Sequence, residues 1–165
     1  MKVEIKKCQP NDGNDIYQLL CALGSGENGF ELTNPENFQH FQKIINKFIE
    51  NEGENQPPGR VPQEVYWLYV NDIPVGIVKI RYKLTENLLI RGGNIGYSIA
   101  PAYRSHGYGK RILQEGLKIL KKNGIEKVLI TANEDNIPSR KVIEFNGGVL
   151  EDIVDNHCRY WIENK

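Results

Sequence analysis

Ile95-Gly96-Tyr97-Ser98-Ile99-Ala100-Pro101-Ala102-Tyr103-Arg104-Ser105-His106-Gly107-Tyr108-Gly109-Lys110 is the stretch on which the reading of this chain turns. Its first half is a β-type run stopped by Pro101, which cannot donate to a ladder. Its second half holds Arg104-x-x-Gly107-x-Gly109, and Lys110 opens an apolar pattern of helical period. A strand that turns into a helix in this way points several unpaired backbone N–H groups in one direction, and the helix dipole adds positive potential there. Glycines at 107 and 109 remove the Cβ atoms that would hold a diphosphate off the backbone. Arg104, Lys110 and Arg111 place cationic charge around the same point. These residue types predict a phosphate or pyrophosphate cradle. An ordinary strand-to-helix turn with permissive glycines is the alternative, and the hexapeptide alone does not decide between them.

Downstream of the loop, Ile112, Leu113, Gly116, Leu117 and Leu120 predict a helix over 110–123, closed by Gly124 in the C′ place. A buried-type strand over 127–131 follows, then a helix over 137–146 capped near Asn136 and ended by Gly147-Gly148. Residues 149–154 and 158–162 read as a closing antiparallel pair. Upstream, runs at 65–70 and 75–82 flank Asn71-Asp72-Ile73-Pro74 and predict a hairpin. The N-terminal half opens with a strand over 3–7. A helix carrying Ile16, Leu19, Leu20 and Leu23 follows. A second helix starts at Asn34-Pro35 and carries Phe38, Phe41, Ile44, Ile45 and Phe48. Residues 51–62 are a polar loop rich in proline and glycine. The order β, α, α, β, β, β, α, β, α, β, β predicts one α/β domain over 1–165, a mixed sheet with helices on its faces.

At 165 residues the chain fits a single domain, with 39% hydrophobic and 25% charged residues, a globular composition. Lysine plus arginine (21) balances aspartate plus glutamate (21), so no long-range field draws it to nucleic acid or to an anionic membrane. No segment reaches the ~20 apolar residues of a membrane span, and the N-terminal residues lack a signal-peptide core, so the expectation is a soluble cytoplasmic protein. Cys8, Cys21 and Cys158 are scattered with no CxxC pair, which predicts reduced, buried thiols. His40, His106 and His157 lack ligand spacing, and no metal site is expected. Gly24-Ser25-Gly26-Glu27-Asn28-Gly29 spells the dinucleotide fingerprint but follows a helical pattern, so a flexible loop between two helices is predicted instead.

The run from Ile95 to Lys110 resembles the coenzyme A loop of the GNAT superfamily of N-acetyltransferases. There an apolar strand, a proline and an aromatic precede [QR]-x-x-G-x-[GA] and a helix, places held here by Ile99, Pro101, Tyr103, Arg104, Gly107 and Gly109. Asn136-Ile137-Pro138-Ser139 and then Glu144-Phe145-Asn146-Gly147-Gly148 are similar to the family's N-x-x-[AS] helix that ends in glycine. The order of elements agrees across nearly the whole length. GGNIGYSI, NIPSRKVIEFNGGVLE and RYWI further resemble a bacterial branch of acetyltransferases of undefined substrate.

The resemblance implies a single-domain fold with a mixed, mainly antiparallel sheet flanked by helices, its two central strands splayed apart at the acetyl-CoA site. The backbone of Ile99 and Ala100 would pair with the pantetheine arm. The amides of Arg104, Ser105, His106, Gly107, Tyr108, Gly109 and Lys110 would hold the pyrophosphate, and Asn136, with Ser139 nearby, the cofactor arm. A backbone N–H in the gap would stabilise the oxyanion. The implied reaction is transfer of acetyl from acetyl-CoA to a small-molecule amine by direct attack, without a metal, and the resemblance leaves room for a homodimer. Relatives place an acidic tyrosine where this chain has Ile143. Tyr160 is the first substitute and Tyr97 and Tyr82 the others, with Glu64 and Glu86 as candidate bases. A module that binds acyl-CoA as a sensor without turnover is the alternative. The Gly24–Gly29 loop borders the acceptor site in this family, making Glu27, Phe30 and Glu31 candidate substrate contacts.

Overall fold

A computed structural model describes residues 1–165. The first sheet has the order β1 (Val3–Lys7), β4 (Glu64–Val70), β5 (Ile73–Ile80), β6 (Ile95–Ile99), and the second β7 (Lys127–Asn133), β9 (His157–Glu163), β8 (Val149–Val154). Every ladder in both sheets is antiparallel. Helices α1 (Asn14–Leu23) and α2 (Phe38–Glu50) cover one face of the first sheet, burying Ile16, Leu20, Phe41 and Ile45 against Val65, Trp67 and Ile77. Helices α4 (Tyr108–Lys122) and α5 (Ile137–Phe145) contribute to a second core that joins Val78, Ile80 and Ile95 to Val128, Ile130 and Tyr160. Gly116 is what lets α4 lie this close: a Cβ there would collide with Ile95.

Several local features depart from the sequence reading. α2 begins at Phe38 because Asn37, not Asn34, is its cap; the Asn37 side chain accepts from His40 N at 2.8 Å. The β4–β5 turn is the two residues Asn71 and Asp72, at φ 49° and 68°, which brings Ile73 and Pro74 into β5. The supposed flexible loop at Gly24–Gly29 is a small hairpin of β2 (Gly26–Glu27) and β3 (Phe30–Glu31), with Asn28 and Gly29 at φ 53° and 84°. A short helix, α3 (Glu86–Ile90), capped by Thr85, also lies where no element was predicted. Cys8 and Cys158 are buried, whereas Cys21 is exposed because its position on α1 faces away from the apolar stripe.

The two sheets meet at β6 and β7, which share no ladder. They are joined beside β6 by Asn94, a buried polar residue that is only 3% exposed. Its N–H donates to Leu129 O at 2.8 Å, its Oδ1 accepts from Leu129 N at 2.9 Å, and its Nδ2 donates to Arg81 O at 3.0 Å. Gly93, at φ 60°, allows that approach, since a Cβ there would strike the Leu129 carbonyl. No helix is long and apolar enough to cross a membrane.

Candidate functional site

Between the sheets opens one large cavity of about 1660 Å³, lined by β6, β7, the 103–110 loop, the α5 N-terminus, α2 and the β2–β3 hairpin. Its most distinctive wall is the loop. Ser105 sits at φ 65° and Gly107 at φ 83°, so the chain reverses sharply into α4. None of the backbone N–H groups from Ser105 to Lys110 finds an acceptor within the protein, whereas Arg111 N resumes helical bonding to Gly107 O. Consecutive free N–H groups at a helix N-terminus form an anion nest, and its size suits a diphosphate. Ser105, Gly107, Tyr108, Gly109 and Lys110 all face the cavity.

The side chains around the nest are less available than their types suggest. Arg104 donates from Nε to Ile99 O at 3.0 Å and forks onto Glu27 at 3.2 and 3.3 Å, tying the β2–β3 hairpin to the end of β6. Arg111 pairs with Glu115. His106 is exposed, stacks on Tyr108 and bonds Arg104 O; its ring does not line the cavity. Lys110 reaches the cavity and lies 4.2 Å over the Phe145 ring.

Along β6, Ala100 is a correction to the expected pairing with the cofactor arm. Its N–H donates to Val75 O and its carbonyl accepts from Tyr103 N, both at 2.9 Å. By strand alternation the N–H groups of Ile99 and Tyr97 face the other way, toward the gap. Asn136 and Ser139 border the gap from α5. Asn136 Oδ1 caps the helix on Ser139 N at 3.4 Å, and Ser139 Oγ lies 3.1 Å from the Tyr97 hydroxyl.

The acetyltransferase (GNAT) family model matches residues 28–147, well over half of the chain. The chain belongs to the GNAT acetyltransferase family. No curated protein matches it in sequence. Among solved structures, the ribosomal-protein-S5-alanine acetyltransferase of Vibrio fischeri superposes with a TM-score of 0.72 at 14% identity, covering 100% of this chain and 94% of that one. The Campylobacter jejuni N-acetyltransferase PseH, solved in complex with acetyl coenzyme A, gives 0.68 at 9% identity, covering 99% and 100%. A GNAT acetyltransferase from Streptococcus pneumoniae gives 0.62 at 18% identity, covering 97% and 96%. At these identities the likeness is one of fold. GNAT membership makes this chain an acyltransferase whose co-substrate is acetyl-CoA.

Within this GNAT fold the catalytic candidates separate by position. Tyr97 lines the cavity, and burial raises its hydroxyl above the ordinary tyrosine value, so it stays protonated near neutrality. Tyr160 is placed elsewhere. It is 1% exposed in the second core, its hydroxyl bonded to Glu144 at 2.7 Å and to Arg140 at 3.0 Å, and it does not border the cavity. Glu64 also lies outside, bonded to Lys7, Tyr66 and Tyr82. Burial pushes its carboxyl up, but the bonds from Tyr82 and Lys7 outweigh it and hold it below the usual range, making it a weak base. Tyr82 is committed to that cluster, and Glu86 is exposed at the start of α3. Ile143 is fully buried. No group of His, Cys, Asp or Glu side chains is arranged to hold a metal ion.

The far wall holds the Glu27, Phe30 and Glu31 that the sequence offered as acceptor contacts, on a hairpin rather than on a flexible loop. Glu27, Phe30 and Glu31 line the cavity because Asn28-Gly29 makes a type I′ turn, a two-residue hairpin signal present in the sequence. Phe30 lies over Gly96 and within 4.8 Å of Lys79 Nζ, a β5 lysine that no motif announces.

Proposed function

We propose that this protein is an N-acetyltransferase that moves acetyl from acetyl-CoA directly to the amine of a small acceptor within one ternary complex. The observation that carries the reading is that a single cavity joins the nest at 105–110 to the pocket beneath Phe30, with Tyr97 between them. The nest holds the diphosphate and the free N–H groups of Ile99 and Tyr97 hold the arm, which supplies a thioester carbonyl at the gap between β6 and β7. One of these N–H groups also receives the developing oxyanion. The acceptor enters from the β2–β3 side as a neutral amine and forms the new C–N bond. The attacking nitrogen loses its extra proton to solvent. Collapse breaks the C–S bond, and the Tyr97 hydroxyl gives its proton to the departing thiolate, recovering one through Ser139 and solvent. The coenzyme A thiol, with an ordinary value of about 8.5, is a tolerable leaving group, so this acid accelerates a step that is already feasible.

The test is release of free thiol from acetyl-CoA across an amine panel, with the acetylated product identified by its mass. Amine-dependent release with a matching product mass is expected. Tight acetyl-CoA binding without any amine-dependent release would overturn the reading.

A further inference from the structure

The acceptor pocket carries an unbalanced charge. Its two carboxylates are already matched: Glu27 by Arg104 at 3.2 Å and Glu31 by Arg91 at 3.7 Å. Its two cations at the end of β5 are not. Lys79 near the end of β5 and Arg81 just past it stand two residues apart on the same face, both half-buried and both lining the cavity. Neither has a carboxylate within 4.0 Å. Lys79 Nζ donates only to the Glu31 backbone carbonyl at 2.8 Å, between the Phe30 and Phe48 rings. Arg81 uses Nε on Gln63 Oε1 at 3.1 Å and one terminal nitrogen on the carbonyls of Gly92 and Gly93. Its second terminal nitrogen has no protein acceptor.

A half-buried cation gives up part of its hydration, and an unpaired one recovers nothing for it. Here two lie side by side and repel one another, in a pocket to which α2 adds Lys43 and Lys47. Burial, aided by Arg81, brings the Lys79 ammonium down to about 8. An arriving anion would relieve both costs, and a polyamine would add to them. A guanidinium edge beside an ammonium suits the oxygens of a carboxylate or a phosphate ester equally well.

We propose that the acceptor amine carries an anionic group, a carboxylate or a phosphate ester, and that Lys79 Nζ and the free terminal nitrogen of Arg81 hold it. This specificity rests on the acetyltransferase reading above; the anion pocket itself is testable apart from turnover. In matched pairs, an amino acid against its amide and an amino-sugar phosphate against the free amino sugar, the anionic member should be acetylated with kcat/KM about tenfold higher or more. The better of the two pairs identifies the oxyanion. Lys79→Met should erase the preference by raising the acceptor KM on the order of tenfold, with acetyl-CoA affinity unchanged. Arg81→Met should do the same; because it also frees two loop carbonyls, Lys79→Met is the decisive variant. Neutral or polycationic amines acetylated as well as their anionic counterparts would overturn the proposal. If no amine is acetylated at all, titration with inorganic phosphate and malonate in the presence of coenzyme A decides the pocket. Binding that Lys79→Met weakens on the order of tenfold supports it, and no binding, or binding that Lys79→Met leaves unchanged, overturns it.

Discussion

At the 105–110 end of the cleft the protein offers backbone N–H groups from one continuous span, while at the β5 end it offers side chains gathered from β3, α2 and β5. The first wall depends on glycine and on left-handed backbone at Ser105 and Gly107. The second depends on which residues a fold brings together across long stretches of chain. In the proposed function the backbone wall holds the donor, the part of the reaction common to the family. A wall made of side chains can be rebuilt without disturbing the turn that carries the donor.

The largest expected effect lies between the two walls. Tyr97→Phe should lower kcat by a factor on the order of 10² while acetyl-CoA affinity stays near its original value. Tyr160→Phe, which removes a buried hydroxyl bonded to Glu144 and Arg140, should cost stability of about 1–3 kcal/mol and leave turnover per folded molecule almost unchanged. Steady-state kinetics with calorimetry separates them; the reverse pattern would return the acid to the second core.

On the backbone wall, Gly107→Val forces a branched side chain onto φ 83° and should weaken acetyl-CoA binding by roughly tenfold or more, measured by titration calorimetry. The acceptor's own anion affinity should not change. If it does, the walls are not independent.

On the side-chain wall the probe is pH. Burial, with Arg81 beside it and Glu31 partly opposing, brings Lys79 down to about 8. An anion favours the ammonium form, so binding raises that value. Affinity for a carboxylate, itself ionised throughout, should be constant from about pH 6 to 8 and fall as pH rises above it, approaching tenfold per unit. Arg81, lowered by burial to about 10, remains charged over most of that range. In Lys79→Met the fall should vanish while weaker binding remains.

The smallest effect expected is none. Burial raises the thiols of Cys8 and Cys158 above the ordinary value, and Cys21 lies on the exposed side of α1. Replacing all three by alanine should leave turnover per folded molecule intact; trapping an acetyl-cysteine would break the direct-attack mechanism.

The same contrast explains what the sequence disclosed. Arg104-x-x-Gly107-x-Gly109 after a strand specifies its geometry locally, so the nest was legible without a fold. The apolar periods of α1, α4 and the strands were legible too, since burial follows spacing. Lys79 was not, because nothing in PVGIVKI distinguishes a lysine that meets Phe30 and Phe48 from one that meets water. Tyr160 misled for a related reason: strand position says which face a tyrosine takes, but not that Arg140 and Glu144 wait there to hold its hydroxyl. The hairpin at Glu27–Phe30 is encoded by Asn28-Gly29, a two-residue turn signal that sits inside the glycine fingerprint.

Asn94 lends its side chain in place of rungs that β6 and β7 do not form. A protein whose central seam is fastened at one end and open along the rest is structurally unfinished when alone. In the proposed seat, the donor's arm supplies hydrogen bonds along that seam, so the same molecule is both reagent and building material. Ligand at a hundredfold excess over its Kd adds about 2.7 kcal/mol to the folded state. Resistance to unfolding and to proteolysis should then rise with the concentration of acetyl-CoA.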